Sequence, residues 1–171
     1  IDDRSWLPYW QPLLALVQLH RGENAESRHL LEESLRLCSE LRERVNLSRV
    51  CGCLAEVALA EGDLVQAEQW LAQCLAEQNG LLKRNVDGMT QLLVAARLAA
   101  AQQHHVRAAT LFGLVAHVYG PIYAVIAGPI RSLAEDALCV VQAALGTEEY
   151  AKAYGAGQHL ALDAAFAIMS G

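Results

Sequence analysis

The chain has 171 residues and a formal charge of −6, with 54 % apolar residues led by Ala and Leu. Both are strong helix formers, while three Thr and five Ile are too few for a sheet of ordinary size, so a β-rich fold is excluded at the outset. The acidic balance gives no electrostatic attraction to phosphate backbones, so direct nucleic-acid binding is not expected.

Helical spacing predicts elements over 12–21, 24–44, 47–61, 64–82, 88–103 and 106–119. A charge-free loop is expected next, from Gly120-Pro121 to Gly128-Pro129. Helices over 129–145, 148–155 and 162–169 follow, with Pro129 at a first helical position, Gly146 as a stop and Thr147 as a cap. The run Leu111–Ile130 is long enough to span a bilayer, but its two Gly-Pro dipeptides argue for a helix end and an apolar loop, and no membrane association is expected.

Three windows of this series are self-similar. Ala15, Ala55 and Ala96 are each followed 12 residues later by a small residue (Ser27, Ala67, Ala108) and 16 residues later by a large apolar one (Leu31, Leu71, Phe112). Small side chains recur where two antiparallel helices approach most closely, and the large residue one turn on fills the space toward the next pair. The expected turns between paired helices carry Gly22, Gly62 and, in the third copy, Gln103. The two glycines suit a left-handed helix terminus, and Asn24 and Asp63 can cap the next helix.

This pattern resembles the tetratricopeptide repeat, with a longer period of 40 to 41 residues in place of the usual 34 or so. The fold expected is all-α: a superhelix of about three hairpins over 1–119, closed by capping helices over 120–171, in one continuous domain. The segments RAATLFG (Arg107–Gly113) and ALGTEEYAKAYGAGQHLALDAAFA (Ala144–Ala167) are similar to the C-terminal ends of large bacterial regulators. Those join a STAND-type ATPase to repeat arrays and to LuxR-type or SARP-type DNA-binding domains or a cyclase. Gly157, Leu160, Asp163 and Ala165 keep the closing-helix pattern, whereas Ala161 replaces the expected Ser or Thr cap. The family's segment after LFG is rich in Glu and Arg; here it is LVAHVYGPIYAVIAGPI.

The resemblance implies a non-catalytic, cytoplasmic repeat domain that senses a protein partner, an upstream domain or a small inducer. An oligomerisation scaffold and a fragment of a helical enzyme are the alternatives. The opening Ile1 is read as the start of a fragment. The family's groove positions fall on Tyr9, His20, Arg49, Glu56, Thr90 and Arg97. Composition adds a second surface: residues 1–87 hold 23 charged side chains and 88–171 only nine. Apolar area left exposed by such a half usually marks an interface, placed here on Leu114, Val118, Tyr119, Ile122, Tyr123 and Ile126 and open to a homodimer partner. The same aromatic and aliphatic residues would equally serve to plug the end of the stack.

Chemistry is not expected. Cys51 and Cys53 lie two apart on a helix and diverge by roughly 200°, so they cannot share a metal. His104 and His105 diverge likewise, and no phosphate-cradling or nucleophile motif occurs, so no cofactor is expected. Five scattered Cys read as reduced core thiols.

Overall fold

A computed structural model describes residues 6–77, 86–123 and 129–170. Among these residues there are eight α-helices and no strand. They are α1 (Leu7–His20), α2 (Asn24–Leu41), α3 (Arg44–Glu61), α4 (Leu64–Glu77), α5 (Val86–Ala101), α6 (His105–Tyr123), α7 (Pro129–Gln158) and α8 (Leu162–Ser170). The fold is an all-α helical repeat. Its contacts divide into two compact units, 1–80 with α1 to α4 and 81–171 with α5 to α8.

The repeat is written in the core. Ala15, Ser27 and Leu31, then Ala55, Ala67 and Leu71, then Ala96, Ala108 and Phe112 are all buried. In the first pair the small residues meet directly, because the Ser27 hydroxyl donates to the Ala15 carbonyl at 2.8 Å. That bond satisfies a buried hydroxyl that would otherwise cost about 1–3 kcal/mol. In the second pair Ser48 does the same across α3 and α4, donating to the Cys74 carbonyl at 3.0 Å.

One turn geometry serves every described connection from α1 to α4 and from α5 to α6. The amide of residue 23, 43, 63 or 104 closes on the carbonyl five residues earlier, at Gln18, Cys38, Ala58 or Ala99, over 2.8 to 3.0 Å. The residue before each is left-handed: Gly22 (φ 80°), Arg42 (φ 56°), Gly62 (φ 79°) and Gln103 (φ 64°). This is the helix terminus at which glycine is favoured, yet two of the four positions carry side chains. The third turn therefore matches the glycine-bearing ones with Gln103 in the glycine's place.

Several element ends differ from expectation. α1 begins at Leu7, with Pro8 in its first turn and Pro12 inside it. Pro12 lacks the amide that would reach back to Pro8, a loss tolerated one turn from the helix start. Asn24 is the first residue of α2 and caps nothing; the position before it is Glu23, with no side-chain cap. Asp63 does cap α4, its Oδ1 accepting the Gln66 amide at 2.9 Å. Helix α6 runs through Gly120-Pro121 to Tyr123, where a loop was expected after Tyr119. Residues 124–128 of that loop lie outside the described residues. Within α7 the helix breaks at Gly146 (φ 73°, ψ 170°), where the sequence placed its stop, and then continues past Gly155 to Gln158. α8 starts with no side-chain oxygen at Ala161, whose carbonyl instead accepts the Ala164 amide at 3.0 Å.

In the second unit α6 and α7 touch backbone to backbone. A methyl group at Gly113 would overlap the Tyr154 carbonyl, and one at Gly157 would overlap the Thr110 carbonyl. Both glycines belong to the segments that carried the regulator resemblance, and their spacing is set by a helix crossing with no room for a Cβ. Arg107 ties the start of α6 to α8, donating to the Met169 carbonyl at 2.8 Å.

Candidate interaction surface

Helix α1 is apolar on two opposite faces. Pro8, Pro12, Ala15 and Leu19 are buried toward α2 and α3, while Trp6, Tyr9, Trp10, Leu13, Leu14 and Val17 remain between 41 and 56 % exposed. At 100° per residue these six fall within an arc of roughly 140° on the opposite side of the helix. A helix with apolar residues on two opposite faces is normally covered on both. The exposed stripe amounts to roughly 500–600 Å², at the upper end of what a monomer's largest patch shows.

The stripe is ordered at one edge. The Tyr9 and Trp10 rings meet edge-on, with centroids 5.0 Å apart at 85°. The Arg49 guanidinium from α3 lies 4.8 Å above the Tyr9 ring. Such a cation–π contact contributes about 0.5–1 kcal/mol at an exposed site and holds the ring in one orientation. Beneath the stripe, Gln11 is buried and donates to Glu33 of α2 at 2.9 Å.

Of the groove residues expected in the first unit, Tyr9 and Arg49 are thus brought together, and His20 is exposed in the last turn of α1. Glu56 does not face a groove. It is 2 % exposed, inside a stretch of α3 from Cys51 to Ala58 that is buried at every residue. In the second unit the Thr90 hydroxyl donates to the Val86 carbonyl of its own helix at 2.9 Å. Arg97 is half-buried, and desolvation brings its pKa down to about 10, opposed by the nearby Asp136 carboxylate. Thr90 and Arg97 therefore present little free polar surface.

The expected interface on α6 is corrected in part. Leu114 and Tyr119 are fully buried in the second unit, and Val118 is half-buried. Along α5 and α6 the low charge goes with burial: Leu93, Ala96, Leu111 and Val115 are also core. Ile122 and Tyr123 lie on α6 with their side chains outside the described residues, as is Ile126 altogether. A docking face through Leu114 and Tyr119 would require unpacking that core.

Among the described residues no reacting constellation is assembled. Cys38 and Cys51 are buried thiols pushed by desolvation to pKa values of about 11 and about 12. Among the described residues no group of three His, Cys, Asp or Glu is placed to hold a metal ion. None of their helices is long and apolar enough to cross a membrane. The bend at Gly146 opens a concavity of about 670 Å³ against α6, lined by Val106, Thr110, Thr147, Glu148, Glu149 and Lys152. Its Thr110 hydroxyl is already engaged with the Val106 carbonyl at 2.9 Å, and the charged residues stand at its solvent side.

No protein-family model, curated protein or solved structure matches the chain. Its own surface is therefore the guide to what it does. Of the stripe, only Tyr9 falls on a groove position of the repeat pattern. The signal for the rest was present: apolar residues at 10, 13, 14 and 17 supplement the buried set at 8, 12, 15 and 19, giving α1 two apolar faces.

Proposed function

We propose that this chain is a protein-interaction and relay segment, a helical repeat whose work is done by surface complementarity and not by catalysis. The observation that carries the reading is the α1 stripe, with Trp6, Trp10, Leu13, Leu14 and Val17 exposed on a helix whose other face is core. Rigid aromatics offer large contact area at low entropic cost, and a fixed helix presents them without reorganisation.

The likeness of Arg107–Gly113 and Ala144–Ala167 to the ends of STAND-type regulators supports a place in such a polypeptide. There the segment would be cytoplasmic, and binding at its surface would be passed to an ATPase and to an effector of the LuxR, SARP or cyclase kind. DNA contact would belong to the effector. A polar inducer site is less favoured, because Glu56 is buried and Thr90 is bonded to its own helix.

The test is a photocrosslinker, benzoylphenylalanine, at Trp10 in the native polypeptide within its own cell. Gln69, exposed on α4, is the control position. The reading expects a protein adduct from position 10 and none from 69. Adducts at neither position would defeat it. Adducts only between identical chains would favour the oligomerisation scaffold.

A further inference from the structure

A shift of 40 residues lays the first hairpin on the second: Ala15 on Ala55, Gly22 on Gly62 and Ser27 on Ala67. The same shift carries the exposed stripe onto the most deeply buried face of α3. Trp10, Leu13, Leu14 and Val17 fall on Val50, Cys53, Leu54 and Val57, and two of these pairs are identical in residue type. The α1 members are 56, 46, 50 and 41 % exposed; the α3 members are 0, 3, 0 and 0 % exposed. Equivalent residues on equivalent helices thus have opposite environments.

What covers the α3 face is known. Val50, Cys53, Leu54 and Val57 form one core cluster with Ala15 and Leu19 of α1 and Leu31 and Cys38 of α2. The cover is a helix pair, with α1 supplying a small residue at the close approach and α2 supplying the Leu that closes over it. A single helix would reach only part of it, since both partners contribute.

We propose that the α1 stripe is the seat for a further antiparallel helical hairpin of this same repeat pattern, carried ahead of α1 on the same polypeptide and packed as α1–α2 packs on α3. The proposal rests on the reading of the stripe as an interaction surface and specifies its occupant. A terminal repeat that ends an array needs a polar outer face, and α1 has the reverse. At the same shift Arg4 falls on Arg44, the first residue of α3.

The experiment duplicates residues 4–43 in frame ahead of Arg4, so that Glu43 of the added copy joins Arg4 as it joins Arg44 in the native chain. A 40-residue Gly/Ser segment at the same place is the control. A companion duplication carries Trp10→Val and Leu13→Cys in the inner copy, which makes its stripe read as the α3 face does. Light scattering, thermal unfolding and iodide quenching of tryptophan are measured on each and on the unmodified chain.

The expected results are a monomeric unmodified chain with readily quenched tryptophans, and a melting temperature at least about 5 °C higher for one or both in-phase duplications than for the Gly/Ser control. In the directly duplicated chain the inner Trp6 and Trp10 become shielded, so the quenchable share falls. If both duplications melt with the control, the proposal is overturned. It is equally overturned if the unmodified chain is a dimer with shielded tryptophans, which makes a second copy the occupant. A Trp10 crosslink to something other than a helical hairpin would overturn this proposal and leave the interaction reading standing.

Discussion

Gly157 of α7 sits against Thr110 of α6 so closely that a methyl group on its Cα would overlap the Thr110 carbonyl and stand 3.0 Å from the Leu114 amide nitrogen. Gly113, three residues after Thr110, meets Tyr154 in the same manner. The two glycines are reciprocal parts of one helix crossing. Gly157→Ala or Gly113→Ala must push the helices apart, at an expected cost of about 1–3 kcal/mol or more. Urea unfolding checks it, with Gly155→Ala as the matched control, since nothing lies within 4 Å of a Cβ there. Equal midpoints for Gly157→Ala and Gly155→Ala would contradict the crossing.

The left-handed residues Gln103 and Arg42 stand where Gly22 and Gly62 stand in the other turns. A side chain in that region costs roughly 1–2 kcal/mol, offset in part by the greater freedom glycine has when unfolded. Gln103→Gly is expected to stabilise the chain by about 0.5–1 kcal/mol, and Gly62→Ala to destabilise it by about 1 kcal/mol. Thermal or urea unfolding decides both signs.

At the close approach of the first hairpin, Ser27 bonds the Ala15 carbonyl, whereas the other two copies use Ala67 and Ala108 at that position. Ser27→Ala removes the donor and the buried hydroxyl together, so a loss of only about 1 kcal/mol is expected. Ser27→Leu overpacks a fully buried site and is expected to cost about 3 kcal/mol or more. A ranking of Leu above Ala in stability would show that the small-residue position does not set the helix approach.

Thiol chemistry gives a pH-dependent check. Four of the five cysteines, Cys38, Cys51, Cys53 and Cys74, are buried, and Cys139 is exposed. Burial raises Cys38 to about 11 and Cys51 to about 12, so both stay protonated and unreactive at pH 8, and native thiolate would grow only as pH approaches those values. One thiol per chain is expected to react rapidly with a disulfide reagent at pH 8, and the other four only on unfolding. The raised native values also mean that unfolding above the ordinary thiol range releases protons, so these groups favour the unfolded state increasingly as pH climbs from about 9 toward 12.

Much of the fold was legible because small residues at fixed spacing leave few alternatives. Ala15, Ala55 and Ala96 with their partners marked each helix pair, and the structure buries all nine members of the pattern. Helix ends were harder. Pro12 suggested a helix start, but a proline one turn inside a helix loses a single bond and the chain absorbs it. Gly120-Pro121 suggested a turn for the same local reason, and α6 continues through it.

The low charge of residues 88–171 left two readings of α6 open, an interface and a plug for the end of the stack, and Leu114 and Tyr119 are consumed by the core that α6 builds with its neighbours. Among the described residues an exposed apolar face lies on α1, in the charge-rich half, where starting the helix at Pro12 hid Trp6, Tyr9 and Trp10 from the helical pattern.

If α1 carries the interaction proposed above, its stripe is exposed in the isolated chain and covered when the chain is at work. Hydroxyl-radical footprinting of Trp6, Trp10 and Leu14 measures this directly, on the isolated 171-residue chain and in cells making the native polypeptide. Strong labelling of all three in isolation, with protection of several-fold in the cell, is the predicted result. Equal labelling in both settings would contradict it, for then the stripe meets no partner.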